Sequence, residues 1–284
     1  MKLGIVFSGG GVKGIAHSGV LKALEEAGIK PDIFAGTSSG SHVAFLSAIG
    51  YSADEIKEKY DSNIDIIVGK NENYDIKKYL LYKKFKVDGL RTGSGIEKFY
   101  YEIGKENGID KISEIKNPLG IIATDLRREK EVWFTSKKID EKLCENIINI
   151  TNLNIGKIIR ASSSFSVLFD PCIVDDNIYI DGGVFNNTPV NLAKALGADK
   201  VLAVKFDDES FLEDKDINMI NVGLKTLDMM SKAVSNKIAN TADVIVRVKS
   251  NSKNLLDVDN SEIYFEDGYK AMKNKIDDVK RLYF

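Results

Sequence analysis

Gly9-Gly10-Gly11-Val12-Lys13-Gly14 and Gly36-Thr37-Ser38-Ser39-Gly40 are two glycine-rich stretches, each placed between an apolar run and a segment of helical periodicity. A glycine-rich loop before a helix can turn backbone N–H groups toward negative charge. A Gly-x-Ser-x-Gly sequence can hold a serine on a strained strand-to-helix corner with its hydroxyl exposed. Together the stretches predict an oxyanion-binding loop and a nucleophile turn, the two features that an acyl-transfer site requires.

The residues around both stretches predict two successive β-loop-α units. Residues 3–7 form a nearly continuous apolar run, which suits a parallel strand covered on both faces. Residues 31–35 predict a second short strand. Apolar residues at helical spacing come after each loop, and Gly28 and Gly50 stand where these patterns stop. We therefore expect an α/β fold.

Length and charge limit the class of protein. A chain of 284 residues, 43% hydrophobic and 29% charged, can form one large α/β domain with a cap-like insertion. Forty basic against forty-two acidic residues leave a formal charge of −2, which argues against a nucleic-acid partner. The start lacks a signal-peptide pattern and no window reaches ~18 apolar residues, so we expect a cytoplasmic protein. Cys144 and Cys172 predict reduced core residues without a disulfide.

A nucleophilic Ser38 needs a base, and the usual base is histidine. The chain has two histidines, His17 and His42, and neither lies far downstream of the turn as a hydrolase triad requires. We expect His17 to be structural. His42, four residues beyond Ser38, is expected to pack against the sheet or bond near the helix start, and it remains the alternative base.

A carboxylate can replace the histidine if it reaches the hydroxyl and is shielded from water. Asp181 comes after the apolar run 178–180, and Gly182 and Gly183 stand directly after it. Two glycines let the backbone turn sharply at a strand end, where open α/β folds bind ligands. Taken alone, however, an Asp-Gly pair is common in turns for conformational reasons.

In this order, the three motifs resemble the patatin-like phospholipase family. Other segments are similar to that family as well: residues 121–126 to its central strand, Arg160-Ala161-Ser162-Ser163 through Phe169-Asp170-Pro171 to the approach to its catalytic acid, and residues 181–189 and 196–201 to the part of the family sequence that begins at this acid. The resemblance covers most of residues 1–206. One departure is Ser166, where the family often has a proline that would fix the chain direction.

The resemblance implies a Ser-Asp dyad lipid acyl hydrolase with a three-layer α/β/α fold and a mostly parallel sheet. Ser38 would attack the ester and Asp181 would accept its proton, without metal or organic cofactor. Backbone N–H groups around Gly10 and Gly11 would bind the oxyanion, with Lys13 adding positive charge nearby. The implied assignments are the loop residues Gly9, Gly10, Gly11, Lys13 and Gly14, the elbow glycines Gly36 and Gly40, and the acid-turn glycines Gly182 and Gly183.

The implied organisation is a catalytic domain over residues 1–206, a cap-like insertion over about 51–117, and an extension of helices and a strand over 207–284 packed on the same domain. Lysines beside Tyr, Leu and Phe in residues 79–86 suggest a transient contact with a membrane surface; the alternative is a cap helix packed on the core. The apolar segment 219–239 is expected to cover the sheet rather than line an acyl-chain tunnel.

Two other classes of function stay open. Gly9-x-Gly11-x-x-Gly14 after a strand fits a dinucleotide-binding fingerprint, which calls for an acid at the end of the second strand. Here that strand ends in Gly36-Thr37-Ser38. The other class is a catalytically inactive lipid-binding or scaffold protein of the same fold, because fold alone does not establish activity.

Overall fold

Nine strands form one sheet in the computed structural model, which describes residues 1–69, 91–166, 168–207, 219–249 and 260–283. Seven strands lie in the order β5-β4-β3-β2-β1-β8-β9, and β7 pairs with both β3 and β6. Most pairs are parallel, whereas β3 pairs with β4 and with β7, and β6 pairs with β7, in the antiparallel sense. The strands are β1 (Leu3–Phe7), β2 (Ile33–Thr37), β3 (Leu119–Asp125), β4 (Lys130–Thr135), β5 (Ile147–Ile150), β6 (Cys172–Val174), β7 (Asn177–Asp181), β8 (Lys200–Phe206) and β9 (Val244–Val248).

Helices cover both faces of this sheet, which confirms the expected α/β class. Alternate residues of one strand enter different cores: Ile5 packs in the larger cluster and Val6 in the smaller one. Both cores are apolar because the central strands are buried on both faces. The helices are α1 (Ala16–Glu26), α2 (Ser39–Ala48), α3 (Ala53–Ile67), α4 (Ser94–Glu106), α5 (Ile155–Ser163), α6 (Val190–Ala195), α7 (Met219–Ala239), α8 (Ser261–Lys273) and α9 (Ile276–Tyr283).

Strands β2 and β7 meet end to end along the same side of β3. Thr37 at the end of β2 pairs with Ile122, and Asp181 at the end of β7 pairs with Ala123, the next residue of β3. Since β2 runs parallel to β3 and β7 runs antiparallel to it, their carboxyl ends point toward each other. Successive residues of a strand are only ~3.3 Å apart. Ser38, directly after β2, is therefore brought next to Asp181.

Several predicted boundaries differ from the structure. The second strand is Ile33–Thr37 rather than 31–35, because Gly36 and Thr37 continue the pairing with β3. In the C-terminal extension, helices α8 and α9 are separated by a break at residues 274 and 275. Cys172 is buried as expected, whereas Cys144 is only partly buried.

Helix α7 leaves several of its described apolar residues exposed, whereas the sequence predicted a helix that covers the sheet. Among its described side chains, Val222, Met229, Met230 and Val234 are 43%, 61%, 62% and 48% exposed. Ser235 and Ala239 are buried residues of this helix, and Ile238 packs against the smaller core. Hydrophobic periodicity identifies a helix and its stripe, but it does not say on which side the sheet lies.

The segment predicted as a cap-like insertion contributes α3 and α4. Their inner residues, including Tyr60 and Tyr100, are fully buried in the larger core. The predicted membrane contact at residues 79–86 lies outside the described residues. Within the described part of the chain, none of the helices has the length and apolar composition needed to cross a bilayer.

Helices α1 and α8 cross at very short distance. A Cβ on Gly19 would lie 2.0 Å from the carbonyl oxygen of Phe265, and a Cβ on Gly268 would lie 1.9 Å from that of Ala16. Any larger residue at either position would force the backbones apart. The first helix of the chain is thus fitted to one that lies some 240 residues later.

Candidate active site

Ser38 occupies a strained turn between β2 and α2. Its backbone has φ 51° and ψ −128°, a conformation that non-glycine residues rarely adopt. The turn is tight because a Cβ on Gly40 would lie 2.2 Å from the carbonyl oxygen of Phe7. Its N–H donates to Ser162 Oγ at 2.9 Å, and its carbonyl accepts from Ser41 Oγ at 2.6 Å. These two hydrogen bonds therefore stabilise the strained backbone of Ser38, and its side chain is left partly exposed.

Asp181 caps the short 3-10 helix Gly182–Val184. Its Oδ1 accepts the N–H of Gly183 at 2.7 Å, as N-cap side chains do. The backbone of the residue is fixed on both sides: its N–H donates to the Ser164 carbonyl at 2.9 Å, and its carbonyl accepts from Thr124 Oγ1 at 3.1 Å. The two glycines after the acid thus form the sharp turn expected from the sequence.

Burial raises the pKa of Asp181 to about 6, against the hydrogen bonds from Ser38 and Gly183, which lower it. The residue is 3% exposed, so desolvation of the carboxylate dominates. Asp181 Oδ2 has no hydrogen-bond partner of ordinary length and angle. The contact from the Ser38 hydroxyl is therefore looser than a normal hydrogen bond. The Ser38 hydroxyl nevertheless lies near enough to lower the pKa of Asp181, and Oδ2 is the carboxylate oxygen without a partner.

The glycine-rich loop lies against Ser38, since a Cβ on Gly9 would be 3.0 Å from Ser38 Cβ. The N–H of Gly9 is shared between the carbonyl and Oδ1 of Asn187, and the N–H of Gly10 donates to Ser39 Oγ at 3.0 Å. The next two N–H groups, of residues 11 and 12, donate no hydrogen bond within the part of the chain that the structure describes. They begin the 3-10 helix Gly11–Ile15 and are the loop's available donors for an anion.

Asn187 joins the glycine loop to the acid turn. Its Oδ1 accepts the N–H of Gly9 at 3.2 Å while its Nδ2 donates to the Gly9 carbonyl at 3.3 Å. Helix α7 holds the other side of the turn: Ser235 Oγ accepts the Asn187 N–H at 2.7 Å, and Ser231 Oγ donates to the Gly183 carbonyl at 2.5 Å. Loop, acid turn and α7 are thereby one connected unit.

For the acyl transfer that the sequence predicts, Asn187→Ala should lower kcat by about 100-fold while leaving KM within about threefold of wild type, since the loop loses its brace but no substrate contact is removed. The measurement is steady-state kinetics on a short-chain soluble ester, with Asn107→Ala as the matched control. Asn107 also donates from its amide, to the Ile103 carbonyl, but it lies at the end of α4. Equal losses in both variants would show that Asn187 does not position the site.

Neither histidine forms a hydrogen bond with the Ser38 hydroxyl. His17 Nε2 donates to the Ser8 carbonyl at 2.8 Å, and burial lowers its pKa to about 4. His42 Nε2 shares a 2.8 Å hydrogen bond with Ser163 Oγ, and burial lowers its pKa to about 3. Both rings are thus neutral above pH 5 and serve packing, with His42 in edge contact with Tyr100.

The remaining predicted site residues lie around these groups. Lys13 is buried on the 3-10 helix at the end of the loop. A Cβ on Gly14 would meet Ser39 Cβ at 2.7 Å, and one on Gly36 would meet the Gly40 carbonyl oxygen at 2.3 Å. Within the described residues, no group of three histidine, cysteine or acidic side chains is arranged to hold a metal ion.

Three supporting residues were not singled out from the sequence: Ser162, Ser39 and Asn187. Ser162 lies in the segment similar to the approach to the family's acid, and Asn187 lies six residues after Asp181. Ser39 stands beside Ser38. Each acts through a backbone hydrogen bond across the fold, so residue type and spacing gave no signal for it.

A serine in a strained turn after a parallel strand, facing a buried carboxylate beside a glycine-rich loop, is the arrangement of α/β proteins with a nucleophile elbow. A sequence model of the patatin-like phospholipase family matches residues 5–194. The chain belongs to this family, as its motifs predicted.

Known proteins similar to this chain agree with that assignment. The lysophospholipase nte1 of Aspergillus fumigatus is 30% identical over 217 residues, and the human patatin-like phospholipase domain-containing protein 6 is 25% identical over 205 residues. Each alignment covers 71% of this chain but only 12% and 13% of those proteins. The crystal structure of VipD from Legionella pneumophila shares the fold, with a TM-score of 0.55, 15% identity, and coverage of 97% of this chain and 66% of that one.

Proposed function

We propose that this protein is a serine lipid acyl hydrolase of the phospholipase A or lysophospholipase type, acting through a Ser38-Asp181 dyad. The observation that carries the proposal is the end-to-end meeting of β2 and β7 on β3, which sets a strained serine against a buried carboxylate. A relative named as a lysophospholipase supports an acyl ester of a lipid as the substrate class.

In the first half of the reaction, Ser38 Oγ attacks the ester carbonyl carbon while Asp181 Oδ2 takes the hydroxyl proton. The tetrahedral oxyanion is bound by the N–H groups of Gly11 and Val12, which the protein leaves available. One such donor is worth ~3 kcal/mol of transition-state stabilisation. Collapse of the intermediate breaks the ester bond, and the alcohol leaves with the proton from Asp181.

In the second half, water attacks the acyl-enzyme carbonyl and gives its proton to Asp181. Collapse of this intermediate returns the proton to Ser38 and releases the fatty acid. The raised pKa of Asp181 suits both halves, because a base with a pKa near 6 is ionised at neutral pH yet gives its proton back readily.

The pH dependence of kcat/KM should track the ionisation of Asp181. With a pKa of about 6, Asp181 is almost fully ionised above pH 7. Below that pKa, its ionised fraction falls about tenfold for each pH unit. Initial rates on a soluble ester between pH 4.5 and 8.5 should therefore rise and then level off with one inflection near pH 6. An inflection above pH 7 would point to another base.

The experiment that tests the proposal is hydrolysis of a panel of lipids with product identification, run beside fluorophosphonate labelling. The panel holds diacyl phospholipid, lysophospholipid and neutral lipid. Wild type should release fatty acid from at least one member and be labelled, whereas Ser38→Ala should do neither.

Absence of both labelling and hydrolysis in folded wild type would instead support the inactive lipid-binding protein. The dinucleotide-binding alternative is disfavoured because β2 ends at Thr37 in the elbow turn, where that function needs an acid. Binding of NAD or FAD in a thermal-shift assay would revive it.

A further inference from the structure

Helix α7 turns Ser231 and Ser235 toward the acid turn and leaves four of its described apolar residues exposed to solvent. At 100° per residue, Val222, Met229 and Met230 fall within an arc of about 100°, and Ser231 and Ser235 lie on the opposite side. The two serines hydrogen-bond to the acid turn. The two methionines are each more than 60% exposed.

We call Val222, Met229, Met230 and Val234 the methionine face. Single exposed apolar residues need no explanation, but four on one side of a single helix, within an arc of about 140°, are the kind of grouping that marks an interaction surface. Val184, 41% exposed, adds an apolar side chain in the acid turn to which this helix is bonded. Methionine is suited to a fluid partner because its side chain is flexible and polarizable.

Positive charge borders the methionine face. Lys205 donates to Asn236 Oδ1 on α7 at 2.7 Å. Arg247 and Lys232 lie near enough to Lys205 to lower its pKa, although burial is the larger cause and Asp207 acts in the opposite direction. An apolar helix face with cations along its border is the pattern of a helix that lies in the headgroup region of an anionic bilayer.

We propose that the methionine face is the surface by which this protein docks on an anionic lipid membrane. This inference rests on the proposed function, and it assigns the membrane contact to one surface of the molecule. The charges favour lipid over a second copy of the chain, because a two-fold contact through this face would bring the cationic borders of both copies to one interface. They complement the negative surface of an anionic leaflet instead.

Docking in this way places the acid turn at the membrane. Ser231 and Ser235 tie α7 to the Gly183 carbonyl and the Asn187 N–H, so the helix cannot settle on lipid without bringing that turn with it. The reacting groups Ser38 and Asp181 then lie beside the surface from which the lipid must come. The face acts on delivery of substrate and not on the chemical step.

The test compares vesicle binding of Met229→Glu/Met230→Glu with a matched control, Leu143→Glu/Ile173→Glu. Leu143 and Ile173 are also more than half exposed, and the control adds the same two charges away from α7. All binding is measured in a Ser38→Ala background by co-sedimentation with phosphatidylcholine vesicles that contain or lack phosphatidylglycerol.

The parent should bind the anionic vesicles more tightly than the zwitterionic ones, the methionine variant should lose at least ~10-fold in affinity, and the control should stay within about twofold. When the same substitutions are made in the protein with its native Ser38, both variants should hydrolyse a short-chain soluble ester at equal rates. This control separates a failure of membrane docking from a failure of the dyad. Unchanged binding of the methionine variant, equal losses in both variants, or no parental binding would overturn the proposal. So would a dimer that the methionine substitutions convert to monomer, since the face would then join two copies.

Discussion

Ester hydrolysis by Ser38→Ala should fall by about 10,000-fold or more, because removal of the nucleophile leaves only the residual effects of the oxyanion donors and of binding. The residue lies in a turn whose strained backbone is held by Ser162 and Ser41, so the fold should survive the loss of one hydroxyl. Initial rates with the best lipid of the panel measure the effect, and circular dichroism checks the fold.

Ser47→Ala is the matched control for the nucleophile. Ser47 lies on the same helix α2, it is 8% exposed, and its hydroxyl has no hydrogen-bond partner within the described chain. Its replacement should leave the rate within about twofold of wild type. Retention of more than a tenth of wild-type activity in Ser38→Ala would show that the acyl group is transferred elsewhere.

Asp181→Asn should lower kcat/KM by about 1,000-fold, since a neutral amide cannot accept the proton of the nucleophile. The same change should stabilise the protein at pH 8. The ordinary pKa of an aspartate side chain is 3.8, which applies to the unfolded state, whereas the pKa of Asp181 in the folded state is about 6. The folded state therefore binds more protons than the unfolded state between those values, and its stability falls as the pH rises through this window.

The stability gain of Asp181→Asn at pH 8 should be up to roughly 3 kcal/mol in the free energy of unfolding, and it should vanish below about pH 4, where Asp181 is protonated in both states. Urea unfolding at pH 4, 6 and 8 measures it. Asp125→Asn is the contrasting control: that carboxylate is paired with Arg128 and accepts the N–H of Arg127, so its loss should destabilise the protein at pH 8. Activity of Asp181→Asn within tenfold of wild type would return attention to His42.

The elbow and the acid turn could be predicted because their backbones restrict the residue types. A corner that brings Gly40 against the carbonyl of Phe7 excludes side chains, and a strand that ends in Asp181 and two glycines can turn at once. Such requirements are visible in the local sequence. The α/β class could be predicted for the same reason, from apolar runs that alternate with helical spacing.

The convergence of Ser38 and Asp181 was implied by resemblance and could not be derived from spacing. It depends on β7 running antiparallel to β3 and ending where β2 ends, which is a property of strand pairing between distant segments. The bonding of the Gly9 and Gly10 N–H groups was hidden for a similar reason, since their acceptors Asn187 and Ser39 lie far from them in sequence. Contacts of this kind have no local pattern.

The orientation of helix α7 also could not be predicted from the sequence, for a different reason. Its apolar spacing predicted a buried helix, yet Ser231 and Ser235 determine which side faces the protein, because their hydroxyls meet the polar backbone of the acid turn. A buried N–H or carbonyl without a partner costs more than an exposed methionine.

The crossing of α1 with α8 has a consequence for folding during synthesis on the ribosome. Strand β1 needs β8 and helix α1 needs Gly268, so these two segments find their partners only after about 200 to 250 further residues have been translated. Pairings so distant along the chain form slowly. The contact between α1 and α8 therefore stays open in the nascent polypeptide until Gly268 has been made, so its closure is a late step of folding.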